Sequence, residues 1–373
     1  FTGPTVVDSD GRCSARFPLP KEITRGEGTL AFVIEDGGIV ETASKTIPIL
    51  LQTVDLQMYP EGGDLIADLP ARVYFEARTP AKKPADIAGV ILNKQGETVG
   101  KFRSEHEGRG RFVFTPNSES KYSLKIIEPS GIKTTFPLPE VKATGAVITA
   151  TKSRYKAGEP VRLQVASSSS RAVKVTLSQR EVEVASTTMD IAESQLTDVV
   201  LTPPKDVDGV LIATLWDEQG KPLAERLVFR QPKESVNVDV IFDEKSYTPG
   251  SAAKLTVRTT DADGKPVAAV VGLTVTDDSV LELIEKREQA PRLPVMVLLE
   301  NDVRELADAH VYLDPHNPKA PLAVDLLLGT QGWRRFAFVE TTKFLAAHGD
   351  TARRVLALKM QTRRDFGQLL GAA

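Results

Sequence analysis

The 373-residue sequence holds a single cysteine, Cys13, so no disulfide framework is open to it. Its four histidines, His106, His310, His316 and His348, include no pair at i, i+4 spacing and have no cysteine beside them, which excludes the common zinc spacings. No serine sits in G-x-S-x-G and no G-x-x-x-x-G-K-S/T occurs, so hydrolase and nucleotide-binding readings have nothing to rest on. No apolar run approaches the roughly 18 residues that a membrane-spanning helix needs. Charge of one sign is also missing. Lys and Arg total 47 against 50 Asp and Glu, a net charge of −3, which favours neither nucleic acid nor an anionic membrane. There is no initiator methionine and no signal peptide at Phe1, and the pattern starts midway, so the expectation is a piece of a longer protein.

What is present is an apolar share of 41%, enough for real cores, in a chain too long for one ordinary domain; two to four are expected. An internal repeat organises it. The segment from Tyr155 reads Y-K-A-G-E-P-V-R-L-Q-V and that from Tyr247 reads Y-T-P-G-S-A-A-K-L-T-V, starting 92 residues apart; a looser copy starts at Tyr59, 96 residues before Tyr155. A second marker, an apolar stretch closed by proline, recurs at Pro20, Pro116 and Pro204 with spacings of 96 and 88.

The best-bounded unit runs from about 51 to 144. Seven strands are expected in it, near 54–59, 71–78, 86–93, 97–104, 110–115, 121–128 and 131–138. Period-two alternation carries them: Val73, Phe75 and Ala77 share one face, and Tyr74, Glu76 and Arg78 the other. Lys94-Gln95-Gly96 and Pro129-Ser130-Gly131 mark turns. Seven short strands in about 90 residues read as an immunoglobulin- or fibronectin-like sandwich. The expected division is a partial sandwich over 1–50, whole ones over 51–144 and 145–233, a fourth over 234–338 interrupted by a helical insertion at 279–328, and a helical tail over 339–373. The Asp263-Gly264-Lys265-Pro266 turn joins strands of the fourth unit. Within the insertion, Ser279-x-x-Glu282 is a capping box that predicts a helix over 279–288; a second helix is expected from Asp302, and a third near 319–328, opened by Asn317-Pro318 and closed by Gly329. Trp333 to Val339 reads as a closing strand.

The order of motifs resembles the macroglobulin domains of α-macroglobulins and complement-like proteins. It is carried by Tyr247-Thr248-Pro249-Gly250, by Asp261 to Val267, by Asp8-Ser9-Asp10-Gly11 and by Phe17-Pro18-Leu19-Pro20. Tyr59-Pro60-Glu61-Gly62-Gly63 and Thr330-Gln331-Gly332-Trp333-Arg334-Arg335-Phe336 look more like bacterial envelope proteins carrying such domains. The resemblance spans about residues 1–338. It implies a mainly β array of sandwiches in a secreted, periplasmic or envelope protein that entraps proteases through a cut bait segment and, in some members, a thioester. The thioester motif G-C-G-E-Q is absent: Cys13 lies in G-R-C-S-A, so that chemistry does not carry over.

The remaining candidates each have a plainer alternative. The D-x-D-G pieces at Asp8 and Asp261 lack further calcium ligands and read as turns. Cys13 reads as a small apolar filler in a strand. The insertion carries Lys286, Arg287 and Arg292, which a trypsin-like protease would cut as a bait; the competing reading is an ordered insertion with Val295 to Leu299 packed on the sandwich, which five consecutive apolar residues favour. The basic tail, with Arg353, Arg354, Lys359, Arg363 and Arg364, reads as a helix docked on its own domain or on a neighbour. The sequence is thus expected to belong to a non-enzymatic array without cofactor or metal. Its expected partners are proteins, a protease among them, and the remaining domains of a longer chain. The alternatives are an architectural or adhesive envelope module, or an accessory region fused to an outer-membrane receptor.

Overall fold

The computed structural model describes residues 3, 5–14, 27–36, 39–48, 51–180, 182–233, 236–248, 250–273, 275, 293–300, 302, 303, 306, 309–314, 316–332 and 349. Phe1–Gly332 makes one compact unit and Trp333–Ala373 a second. The expected closing strand, the tail helices and the 279–288 helix lie outside the described residues.

Near the N-terminus, β1 (Glu27–Asp36) and β2 (Ile39–Pro48) form an antiparallel hairpin. The first sandwich follows with β3 (Asp55–Pro60), β4 (Leu65–Ile66), β5 (Ala71–Arg78), β6 (Ala88–Leu92), β7 (Thr98–His106), β8 (Arg109–Phe114), β9 (Ser123–Glu128), β10 (Thr135–Pro137) and β11 (Val141–Lys142). The seven strands expected over 51–144 are present, and β4 and β11 add a short parallel pair. Strand order is β10-β9-β6-β7-β8-β5-β3. The long β7 pairs with β6 through Arg103 and with β8 from Ser104 onward, with a register shift there, so one strand serves both layers. Inward-facing Val73, Phe75 and Ala77 meet Phe102, Phe112 and Leu124 in the core. Phe75 and Phe102 stack edge-on at 5.4 Å between centroids, and Phe114 and Tyr122 at 5.1 Å.

The second sandwich contains β12 (Ala146–Ala150), β13 (Arg154–Tyr155), β14 (Val161–Ser167), β15 (Arg171–Gln179), β16 (Val182–Ile191), β17 (Thr197–Leu201), β18 (Gly209–Trp216) and β19 (Pro222–Arg230). They form a three-stranded sheet, β12-β14-β17, facing a five-stranded one, β13-β19-β18-β15-β16. The Y-x-x-G repeat has a local explanation here. The Tyr155 hydroxyl donates to the Arg162 carbonyl at 2.8 Å and accepts from the Arg162 amide, and Gly158 supplies the turn's positive φ of 74°. In the copy at Tyr247 the glycine, Gly250, has φ 83°, and the tyrosine lies between β20 (Asn237–Phe242) and β21 (Leu255–Thr260), which pair as a hairpin.

Both D-x-D-G pieces are turns. Asp8 Oδ1 accepts from the Asp10 and Arg12 amides, and Asp261 Oδ1 from those of Asp263 and Lys265. Cys13 departs from expectation. It is exposed and outside any strand, so it fills no core.

The described helices follow from Leu293: α1 (Leu293–Val295), which runs into a π-helical turn at Met296–Glu300, then α2 (Ala309–Tyr312) and α3 (Ala320–Gly329). The helix expected from Asp302 is displaced; Asp302 and Val303 form a turn on the Leu299 carbonyl and helix begins at Ala309. The third helix is close to its expected place, but its cap is shifted. Lys319 is the N-cap without a side-chain bond, Pro321 sits in the first turn, and Asn317 instead accepts the Lys319 amide. In the Val295–Leu299 run, Val295 and Leu299 are buried against the five-stranded sheet, while Met296 and Val297 are exposed.

Candidate functional site: a buried junction of two sandwiches and a helix

β18 reads Gly-Val-Leu-Ile-Ala-Thr-Leu-Trp, apolar almost throughout, which calls for burial on both faces. Leu211, Ala213 and Leu215 point into the second sandwich. Val210 and Ile212 point the other way, where Val295, Leu299, Tyr312, Val324 and Leu327 of the helical segment cover them together with Leu227 and Phe229 of β19. At about 1.5–3 kcal/mol for each buried aliphatic or aromatic side chain, those five helical residues contribute on the order of 10 kcal/mol of gross apolar stabilisation.

The same helical segment reaches the first sandwich. The alternation of β5 places Tyr74 on its polar, outer face, yet Tyr74 is fully buried there, because α3 lies against it. Gly329 makes this possible: a β-carbon at that position would overlap the Tyr74 ring. Asp325, the lone acid of an otherwise apolar helix, meets the tyrosine. The Tyr74 hydroxyl donates to Asp325 Oδ1 at 3.0 Å and Arg226 Nη2 donates to the same oxygen at 2.9 Å. The Ser153 hydroxyl also donates to Oδ1, and Arg111 forms an ion pair with Oδ2. Arg226 Nη2 reaches Ser153 Oγ at 2.7 Å and the Tyr74 hydroxyl at 3.1 Å, and its guanidinium lies 4.9 Å from the Tyr74 ring centroid.

Behind Arg226 stands Glu61. Its Oε1 is 3.0 Å from Arg226 Nε, an ion pair without hydrogen-bond alignment, and accepts the Ala150 amide at 3.1 Å. Arg72 Nη1 closes the set, 3.2 Å from Glu61 Oε2 and 3.2 Å from the Ala150 carbonyl. The Y-P-E-G-G motif positions this acid. Gly62 has φ 87°, and its carbonyl accepts the Glu225 amide of β19 at 3.1 Å, next to Arg226. An apolar patch of Ile66, Leu69, Val147 and Ala166 seals the same contact between the sandwiches. At the far end, Arg109 Nη1 donates to the Tyr312 hydroxyl at 3.2 Å while its Nε and Nη2 hold Glu76 at 2.8 and 2.7 Å.

Burial alone would raise the Asp325 pKa; Arg226, the Ser153 hydroxyl and Arg111 outweigh it, so its carboxyl is held below the usual range and stays ionised. For Glu61 burial wins: its carboxyl is pushed up, with Arg226 and Arg72 offsetting part of the effect. Burial likewise pushes the Tyr74 phenol up, so it remains a neutral donor.

This arrangement binds protein to protein. Asp325 serves four partners of the same chain, with Tyr74, Ser153 and Arg226 on Oδ1 and Arg111 on Oδ2. An open cleft of about 820 Å³ beside the network is lined by Arg72, Arg111, Lys152 and Arg154. The first three are paired with Glu61, Asp325 and Glu159 respectively. Among the described residues no group of three metal-ligating side chains converges. No helix of the described residues is long and apolar enough to cross a membrane. Lys286, Arg287 and Arg292, the residues singled out as a bait, lie outside the described residues.

The fold is therefore mainly β, with two immunoglobulin-like sandwiches, two hairpins and a helical segment among the described residues. Residues 146–283 match the family model for the alpha-2-macroglobulin bait region domain, so that part of the chain resembles the alpha-macroglobulins, in line with the order of its motifs. No curated protein matches the sequence significantly. Similar solved structures include the native conformation of Escherichia coli alpha-2-macroglobulin (11% identity, 63% of this chain and 19% of that one, TM-score 0.20). They also include the Escherichia coli adhesin FdeC (14% identity, 58% and 77%, TM-score 0.23) and the Yersinia pseudotuberculosis adhesin InvE (12% identity, 47% and 58%, TM-score 0.20). At such TM-scores the likeness carries no functional weight, and the chain spans about a fifth of the E. coli macroglobulin it matches.

Proposed function

We propose that this chain is a non-enzymatic scaffold segment of a secreted, periplasmic or envelope peptidase trap, with a protease as its partner and the bait around Lys286, Arg287 and Arg292. The match of residues 146–283 to a bait region domain supports this reading; the three basic residues lie just beyond the matched stretch. The sandwiches at 51–144, 145–233 and 234–338 form the frame, and 339–373 a helical extension. Limited proteolysis with trypsin, with cut sites mapped by mass spectrometry, tests it. Cleavage after Lys286, Arg287 or Arg292 well before any other site is expected. First cuts elsewhere would move the reading to an architectural or adhesive module. The buried junction favours that second reading, since it fixes one sandwich on the next, as a spacer requires.

A further inference from the structure

We infer that the helical segment 293–332 is a non-covalent clamp that keeps both sandwiches and itself together after the chain is cut between residues 276 and 292. Its use in a trap rests on the reading above; the docking does not. Three observations carry it. The segment contributes its own buried cluster, with Val295, Leu299, Tyr312 and Leu327 packed on the outer face of β18 and β19. It touches both sandwiches through buried polar groups: Asp325 bonds Tyr74 of the first and Arg226 and Ser153 of the second, and Tyr312 accepts from Arg109 of the first. Its C-terminal end is closed on itself: the Thr330 hydroxyl donates to the Leu326 carbonyl at 2.8 Å and Gln331 Nε2 to that of Leu327 at 2.8 Å. None of these bonds requires an intact peptide chain upstream of Leu293. A scission there leaves all of these bonds in place.

The consequence is that a nicked molecule does not fall apart. The two envelope-like motifs, Tyr59 to Gly63 and Thr330 to Phe336, meet where Gly332, the last described residue of the second, lies against the Tyr59 ring. The two motifs, some 270 residues apart, form one device.

The test uses the full chain with a recognition sequence for a site-specific protease, flanked by Gly-Ser spacers, inserted between Arg287 and Glu288. After complete cleavage, shown as two bands on a denaturing gel, the halves are expected to co-elute on size exclusion at the intact volume on dilution to about 100 nM. D325N in the same background is expected to weaken retention at least about tenfold, because it removes a buried charge from Arg226. If D325N does not accumulate, S153A, which deletes the Ser153 bonds to Asp325 and Arg226, is expected to weaken retention at least about threefold. Halves that separate at micromolar concentration overturn the inference, and so does retention that neither variant changes. Trypsin resistance near Arg287 would sink the bait reading while leaving this result untouched.

Discussion

Replacing Asp325 with asparagine in the intact chain probes the junction most directly. The exchange keeps size and shape; with the amide oxygen at the Oδ1 position it retains an acceptor for Tyr74, Ser153 and Arg226, and it removes the charge and the Oδ2 acceptor of Arg111. Arg111 loses little: its side chain is 36% exposed and it also reaches Glu105, so solvent screening limits that pair to about 0–1 kcal/mol. Arg226 loses more, since its side chain is 3% exposed and cannot be rehydrated. Breaking a buried pair typically costs about 3–5 kcal/mol. Glu61 remains at 3.0 Å as a second counter-charge, which places the expected loss at the lower end, about 3 kcal/mol.

The loss is local, so global unfolding of a multi-module chain is a poor readout. Hydrogen exchange of α3 peptides is a better one. About 3 kcal/mol corresponds to exchange on the order of a hundredfold faster in Ala320–Gly329, with smaller changes in β5 and β19 and none in β15 or β16. Exchange in α3 unchanged within about threefold would refute the claim that Asp325 holds the helix down. An equal rise across both sandwiches would refute the claim that the effect is confined to the junction.

G329A forces a methyl group into the Tyr74 ring and should destabilise the docked helix by about 1–3 kcal/mol, read in the same exchange experiment; a neutral outcome would mean the helix and β5 are not in contact. The junction should also respond to acid with a defined sign. The folded Asp325 pKa is depressed, so its contribution is complete above the unfolded value of about 3.9 and is lost as pH falls through the lower folded value. Glu61 works in the opposite direction: its folded pKa is raised, so protonating it as pH falls relieves the cost of a buried charge. Protection of α3, corrected for intrinsic exchange, should therefore hold or rise from pH 6 to about 4 and decline below that, and D325N should abolish the decline.

The sandwiches were legible because their information is local. Alternation around Val73, Phe75 and Ala77, glycine turns such as Gly96 with φ 81°, and the repeated Y-x-x-G all act within a few residues. The same alternation put Tyr74 on the correct face but did not show its burial, because period two says which side of a strand a residue faces and not what covers that side. The junction was illegible for a related reason. Its members, Glu61, Tyr74, Ser153, Arg226 and Asp325, come from five separate stretches, and only Glu61 stood in a motif that drew notice. A weaker cue was available. Asp325 interrupts Ala-Pro-Leu-Ala-Val-Asp-Leu-Leu-Leu, and Arg226 interrupts a run that packs on both faces of β19. A charge in a run that must be buried demands a counter-charge, and those of Asp325 and Arg226 meet each other.

Why such a junction uses ions where apolar side chains would pack more cheaply can be tested by replacement. An apolar junction stabilises through contact area, which tolerates small rotations, whereas Arg226 bridging Glu61 and Asp325 accepts one orientation only. The combined variant E61L, Y74F, R226M and D325L deletes the buried charges around Tyr74 at roughly constant volume and leaves the Arg109–Glu76 pair in place. Arg72 and Arg111 keep solvent access and, respectively, the Ala150 carbonyl and Glu105. Because no charge is stranded, helix protection should recover to within about 2 kcal/mol of the native value, well above that of D325N alone. The distribution of distances between spin labels at Gln95 and Glu218, one on each sandwich, should broaden at the same time. Recovery of protection with an unchanged narrow distribution would mean that the apolar patch of Ile66, Leu69, Val147 and Ala166 alone sets the angle, and that the ions do not fix the orientation.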